Sequence, residues 1–244
     1  LIDYYNLDAT GWGSPFLLVP EATNVDDETL SKLKNAKKED YYLSHASPLG
    51  VPFSNFRYSS SETQRKLRID KNRPGSPCFK KFLSMDKEFT DKVICTASRE
   101  YQNLKIKQLK STITDQNILN HEIEKVTEKD CLCEGLGASA LLKNKAKLSH
   151  NLSAVTICPG PNLAYFSDTF SLKQMVDHIY GRLNILNNLN RPNIFINELQ
   201  LYFDYLKKEM EDQYNVITEK KLTYFHTFKS NLLKGIDYYE ELMP

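Results

Sequence analysis

The sequence predicts a helix-rich chain of α/β or α+β class. Short strands and Gly/Pro-rich loops should fill its first two-thirds, and an antiparallel pair of amphipathic helices its C-terminus. Three observations carry this expectation. Capping signals recur ahead of apolar stripes at helical spacing. The only strand-like stretches are short apolar runs closed by proline or glycine. Beyond residue 194, two long stripes are separated by only a few residues, which favours an antiparallel pair.

The elements follow in order. Phe16-Leu17-Leu18-Val19, closed by Pro20 and preceded by the turn-rich Thr10–Pro15, predicts a buried strand. Asp26 and Asp27 open a helix over about 26–40, with Leu30 and Leu33 on one edge. Residues 44–60 read as loop. Ser59 and Glu62 have capping-box spacing and predict a basic helix that ends before Arg73-Pro74-Gly75. Val93-Ile94-Cys95 reads as a short strand or a helix lead-in. Helices are expected over about 97–111 and 115–128. Cys131–Ser139 reads as a tight loop feeding a helix, and Val155–Cys158 as a buried strand that stops at Pro159-Gly160-Pro161.

The last third is the most regular. Ser171 and Gln174 form a capping box, Leu172, Met175, Val176 and Ile179 form a stripe, and Gly181 is a natural stop. Phe195, Leu199, Tyr202, Phe203, Leu206 and Met210 share one helix face, and Leu222, Phe225, Phe228, Leu232, Ile236 and Tyr239 another. The expected organisation is a mixed region over 1–165 and a helical region over 166–244 packing on it as one unit. The start at Leu1, without an initiator Met, predicts a fragment whose upstream part has been removed.

Composition narrows the function classes. The chain has 244 residues, of which 41% are hydrophobic, enough to build a core without disulfide staples. Its 32 basic and 31 acidic residues nearly cancel, so no whole-protein field draws it to nucleic acid or to anionic lipid. No apolar run approaches the ~20 residues of a bilayer span, and no signal-peptide pattern opens the chain. Five cysteines, an odd number in a long chain, predict free or metal-bound thiols in a reducing, cytoplasmic compartment.

Three features suggest chemistry. First, Cys78, Cys95, Cys131, Cys133 and Cys158 each lie at a turn or element end, where side chains can converge. Three or four of them would ligate zinc or an iron–sulfur cluster, although the paired C-x₂-C spacing of zinc ribbons is absent. Their plain alternative is packing as small buried apolar groups. Cys95, with Arg99 close in sequence, is also a candidate reactive thiol, but the five-residue Cys-to-Arg spacing of phosphatases is missing.

Second, Gly11 and Gly13, and Gly135 and Gly137 with Ser139, are candidate loops for the phosphate of a nucleotide or flavin. Neither pair completes a Walker A or Rossmann pattern. Third, the tract from Arg57 to Lys81 holds eight basic residues against Glu62 and Asp70, with Phe53, Phe56, Tyr58 and Phe79 beside it. Basic residues interleaved with aromatics can hold single-stranded nucleic acid.

The zincin motif begun by His121-Glu122 fails at Lys125, and no G-x-S-x-G elbow is present. The expectation is therefore part of an intracellular enzyme, of oxidoreductase type, with a small-molecule substrate or cofactor and a site built from the Gly/Cys loops. The alternatives are a nucleic-acid-binding module using 57–81 and a non-catalytic helical scaffold.

Overall fold

A computed structural model describes residues 6, 8–146, 150–155, 159–211 and 217–242. The chain is α+β and mostly helical. Among the described residues there are nine α-helices and one two-stranded antiparallel sheet. Its backbone divides into one unit of residues 12–188 and a second made of 1–11 with 189–244. No described helix is long and apolar enough to cross a membrane.

In the larger unit, α1 (Gly13–Phe16) is a single turn. It continues into bends in which Leu17, Leu18 and Val19 donate their amides to the Ser14, Pro15 and Phe16 carbonyls. The apolar run 16–19 is therefore helical and turned, not the expected strand. Leu18 and Val19 are fully buried, so tertiary packing decided what a four-residue apolar run leaves open.

Helix α2 (Asp27–Lys34) is capped by Asp26, whose carboxylate accepts from the Thr29 amide. It ends well short of residue 40. Strand β1 (Tyr41–Ser44) pairs with β2 (Phe53–Phe56), Tyr41 opposite Phe56. The two rings lie 5.5 Å apart, centroid to centroid. The stretch read as loop thus supplies the second strand of the sheet.

Helix α3 (Ser60–Asp70) begins where Ser59 Oγ accepts from the Glu62 amide. Helix α4 (Arg99–Thr112) begins at the Ser98 cap, and α5 (Gln116–Glu128) at Asp115. Helix α6 (Leu132–Lys143) follows with only three residues between. Helix α7 (Leu172–Ile179) starts in the full capping box of Ser171 and Gln174. Gly181 sits just past its end with φ +71°, a conformation glycine adopts without steric cost.

The core of this unit gathers Leu18, Val19, Leu33, Tyr41, Phe56, Leu163, Phe166 and Met175. Of the strand expected over 155–158, residues 156–158 lie outside the described residues, and Val155 packs on α6.

The second unit is a helical hairpin. Helix α8 (Ile194–Glu211) starts at Asn193, whose side chain accepts from the Phe195 amide. Helix α9 (Glu219–Leu242) starts after Thr218. The helices run antiparallel. Phe195, near the start of α8, stacks on Tyr239 near the end of α9, and Tyr205 meets Tyr224 and Phe228 closer to the turn. Lys221 and Glu209 pair at 2.7 Å beside that turn. The expected helix pair is present.

Gly135 explains why a glycine stands inside α6. A Cβ built there would lie 2.5 Å from Val155 Cγ2, and the Gly135 carbonyl accepts from the Val155 amide. Alanine gains ~1 kcal/mol of helix propensity, while overpacking costs about 1–3 kcal/mol. Gly135→Ala should therefore lower stability by ~1 kcal/mol in urea unfolding, and the same change in a Val155→Ala background should raise it. Destabilisation in both backgrounds would refute this account.

Candidate functional site

The site is built around the short segment between α5 and α6. Nearly every polar group from Thr127 to Cys131 is tied to another element. Arg65 of α3 donates to the Thr127 carbonyl at 2.9 Å, and the His45 amide donates to Glu128 at 2.7 Å. Lys129 Nζ donates to the His45 and Ser47 carbonyls, and Gln102 of α4 donates to the Lys129 carbonyl. The Asp130 amide donates to Ala46.

The Asp130 side chain is buried and fully engaged. One oxygen accepts from Ser61 Oγ at 2.5 Å; the other accepts from Arg68 at 2.8 Å and from the Cys131 amide at 2.9 Å. This fixes Cys131 at the mouth of α6 and Cys133 in its first turn.

Cys78 and Cys95 arrive from a separate stretch. The Ser76 amide donates to the Ala97 carbonyl and the Arg99 amide to the Ser76 carbonyl, a short parallel bridge. Asp86 and Ile94 exchange both backbone hydrogen bonds. Gly75 makes the bridge possible. Its φ is +80°, and a Cβ there would stand 2.6 Å from the Arg99 Cα and N. Cys78 itself has φ +59°.

These segments bring Cys78, Cys131 and Cys133 within reach of Cys95 for their charges to act on it. Burial pushes the Cys95 thiol up to about 11; the Ala97 amide works against that rise, and Cys78, Cys131 and Cys133 add to it. Burial also raises Cys131, opposed by the Glu134 amide and the Ser76 hydroxyl and reinforced by Asp130 and Cys133. All four are free thiols, and Cys95 is the buried one. As placed, their side chains do not converge on one point: among the described residues, no three His, Cys, Asp or Glu side chains stand in metal-holding positions. Cys158 lies outside the described residues.

A buried thiol with a raised pKa is the reverse of an activated nucleophile. The helix expected to begin beside Cys95 begins instead at Arg99, and Cys95 lies in the turn before it, where its carbonyl accepts from the Ser98 amide.

The glycine loops sit elsewhere. Gly135, Gly137 and Ser139 are in the body of α6 and not in a loop before it, so their amides serve the helix ladder. Ser139 Oγ accepts from the Asp26 amide at 2.9 Å and donates to the Asp26 carboxylate at 2.5 Å. Gly13 opens α1, and Gly11 precedes it in the other unit. The two loops distinctive in sequence meet: the Gly160 amide donates to Ser14 Oγ at 3.2 Å.

The basic tract divides in two. Arg65 pairs with Glu62 at 2.5 Å, Arg68 with Asp130 at 2.8 Å, and Arg57 stacks over the Tyr42 ring. Lys66, Lys71, Arg73, Lys80 and Lys81 are exposed, as are Phe79 and Phe82. Sequence reasoning missed Asp130 and Lys129 altogether. Their signal was a charged pair set directly before a cysteine, between two helices.

A groove of about 950 Å³ runs along the helical hairpin. Phe195, Leu199, Tyr202, Leu232, Ile236 and Tyr239 line it, and no cysteine or arginine does.

No family model, curated protein or solved structure matches this chain.

Removing the Asp130 carboxylate strands Arg68, Ser61 and the Cys131 amide together. Loss of one partner of a buried pair costs about 3–5 kcal/mol. Asp130→Ala should destabilise by roughly 3 kcal/mol in denaturant titration. It should also raise the alkylation rate of Cys131 by freeing the start of α6. A change below ~1 kcal/mol would mean that the segment is held by its other ties.

Proposed function

We propose that the chain is part of an enzyme of a reducing, intracellular compartment, of redox type, in which Cys78, Cys95, Cys131 and Cys133 hold a zinc ion or an iron–sulfur centre. The observation that carries this reading is that Cys78, Cys131 and Cys133 lie near enough to the buried Cys95 for their charges to act on it. Metal ligation needs thiolates, and binding takes the protons off. Burial works against ionisation here, so the metal itself would supply the charge that stabilises the deprotonated set. The Ala97 and Glu134 amides, which favour the thiolates of Cys95 and Cys131, are suited to tuning such a centre.

Protein purified without oxygen should carry stoichiometric iron, with a visible absorption band, or stoichiometric zinc. Cys131→Ala and Cys133→Ala should each lose most of the metal. Metal-free, colourless protein whose variants behave like the wild type would remove the proposal.

A second reading, contact with single-stranded nucleic acid, is favoured by the exposed Lys66, Lys71, Lys80 and Lys81 beside Phe79 and Phe82. It requires affinity that falls steeply with salt. Oligonucleotide binding that is absent, or insensitive to salt between low and physiological strength, would dismiss it.

A further inference from the structure

We propose that Arg68, Arg73 and Arg99 form a binding site for the phosphate group of a small-molecule ligand, where the end of α3 meets the start of α4. This goes beyond the metal reading and needs no metal.

The backbone brings the three together. The Arg73 amide donates to the Arg68 carbonyl at 2.8 Å, closing the end of α3. Two residues on, Gly75 lies against the Arg99 backbone so closely that no side chain fits between, and the Arg99 amide donates to the Ser76 carbonyl at 2.9 Å. The three backbones thus meet at the junction of the α3 end and the α4 start, and the charges of Arg73 and Arg68 reach Arg99.

Their compensation is incomplete. Asp130 pairs with Arg68 and also accepts from Ser61 and the Cys131 amide. Among the described residues, Arg73 and Arg99 make no side-chain hydrogen bond or ion pair. Arg99 Nε is buried without a partner, and so is Arg68 Nε. The adjoining turn carries another such atom, Thr96 Oγ1. Burial weighs against the Arg99 charge, and the charges of Arg73 and Arg68 add to that.

Buried donors without acceptors and like charges held side by side both cost free energy, which an arriving anion returns. The stoichiometry favours a dianion. One of the three positive charges is met by Asp130, and two remain. A phosphate offers two charges and several acceptor oxygens to planar guanidinium forks, whereas a carboxylate offers one charge. Arg73 is exposed and gives the ligand its approach from solvent. The site takes over the role expected of the glycine loops, since Gly135 and Gly137 are inside a helix.

The test is calorimetric titration of the full chain with inorganic phosphate and with adenosine monophosphate in low-salt buffer. Acetate at matched ionic strength is the control. Saturable binding of phosphate and the nucleotide, but not acetate, is expected. Arg73→Gln, an exposed change that leaves the fold alone, should weaken binding by about tenfold or more, and Arg99→Lys should weaken it as well. Cys133→Ser should leave phosphate affinity intact, so failure of the metal reading and failure of this one can be told apart. Absence of phosphate binding, or equal affinity in Arg73→Gln, would overturn the proposal. So would binding of a single-stranded oligonucleotide alone, which would assign the arginines to nucleic acid. Loss of metal from Arg73→Gln with phosphate affinity unchanged would overturn it too, by making the arginines counter-charges for the thiolates.

Discussion

The anchoring of residues 127–131 is the constraint on which the rest of the larger unit depends. This short connection between α5 and α6 bonds to β1, to the turn after it, to α3 and to α4. A sheet of two short strands is too small to organise a domain by its own hydrogen bonds. Here the organising element is a polar knot into which charged side chains are drawn. Burial makes the Lys129 ammonium less favourable and shifts its pKa downward, with Glu128 countering. The carbonyls of His45 and Ser47 give it acceptors that water would otherwise provide. A buried charge of this kind contributes little net stability, but it fixes one arrangement, because any alternative leaves it without partners.

That knot connects fold to chemistry through a single peptide. Asp130 ties α6 to α3, and the next residue is Cys131. The bridge between Ser76 and Ser98 does the same for Cys78 and Cys95, with Gly75 as the residue that lets two backbones touch. Tyr101 donates to Glu88, and Lys105 pairs with the same carboxylate, so the turn that returns the chain to Cys95 is held against α4. Cys78, Cys95 and Cys131 therefore stand on stretches of chain that hydrogen bonds fasten to neighbouring elements.

Much of the helical framework was legible. The capping residues Ser59 and Ser171 announce their helices because a side-chain oxygen facing free amides is a local interaction, complete within four residues. The C-terminal pair was legible for a related reason, since long stripes leave only one period that fits. The misreadings share a different cause. Phe16–Val19 is too short for its period to show, and the turn it adopts is set by Phe170, whose amide donates to Leu18. Gly135 reads as a loop residue until Val155, twenty positions away, is seen to need the space. The candidate site was half legible. Cysteines beside turns suggested convergence, which the described side chains do not show; Arg68 and Arg73 appeared only as part of a charged tract and Arg99 only as a neighbour of Cys95, without the division into arginines paired with Glu62 or Asp130 and those left over.

That division explains why charge near the site stays unbalanced in a chain with a formal net charge of only +1. Asp130 accepts from a hydroxyl, an amide and the guanidinium of Arg68. Glu62 holds Arg65 in a two-pronged pair. Both acids thus serve α3, and among the described residues neither bonds to Arg73 or Arg99. Positive charge left without an internal partner is open to an anion from outside.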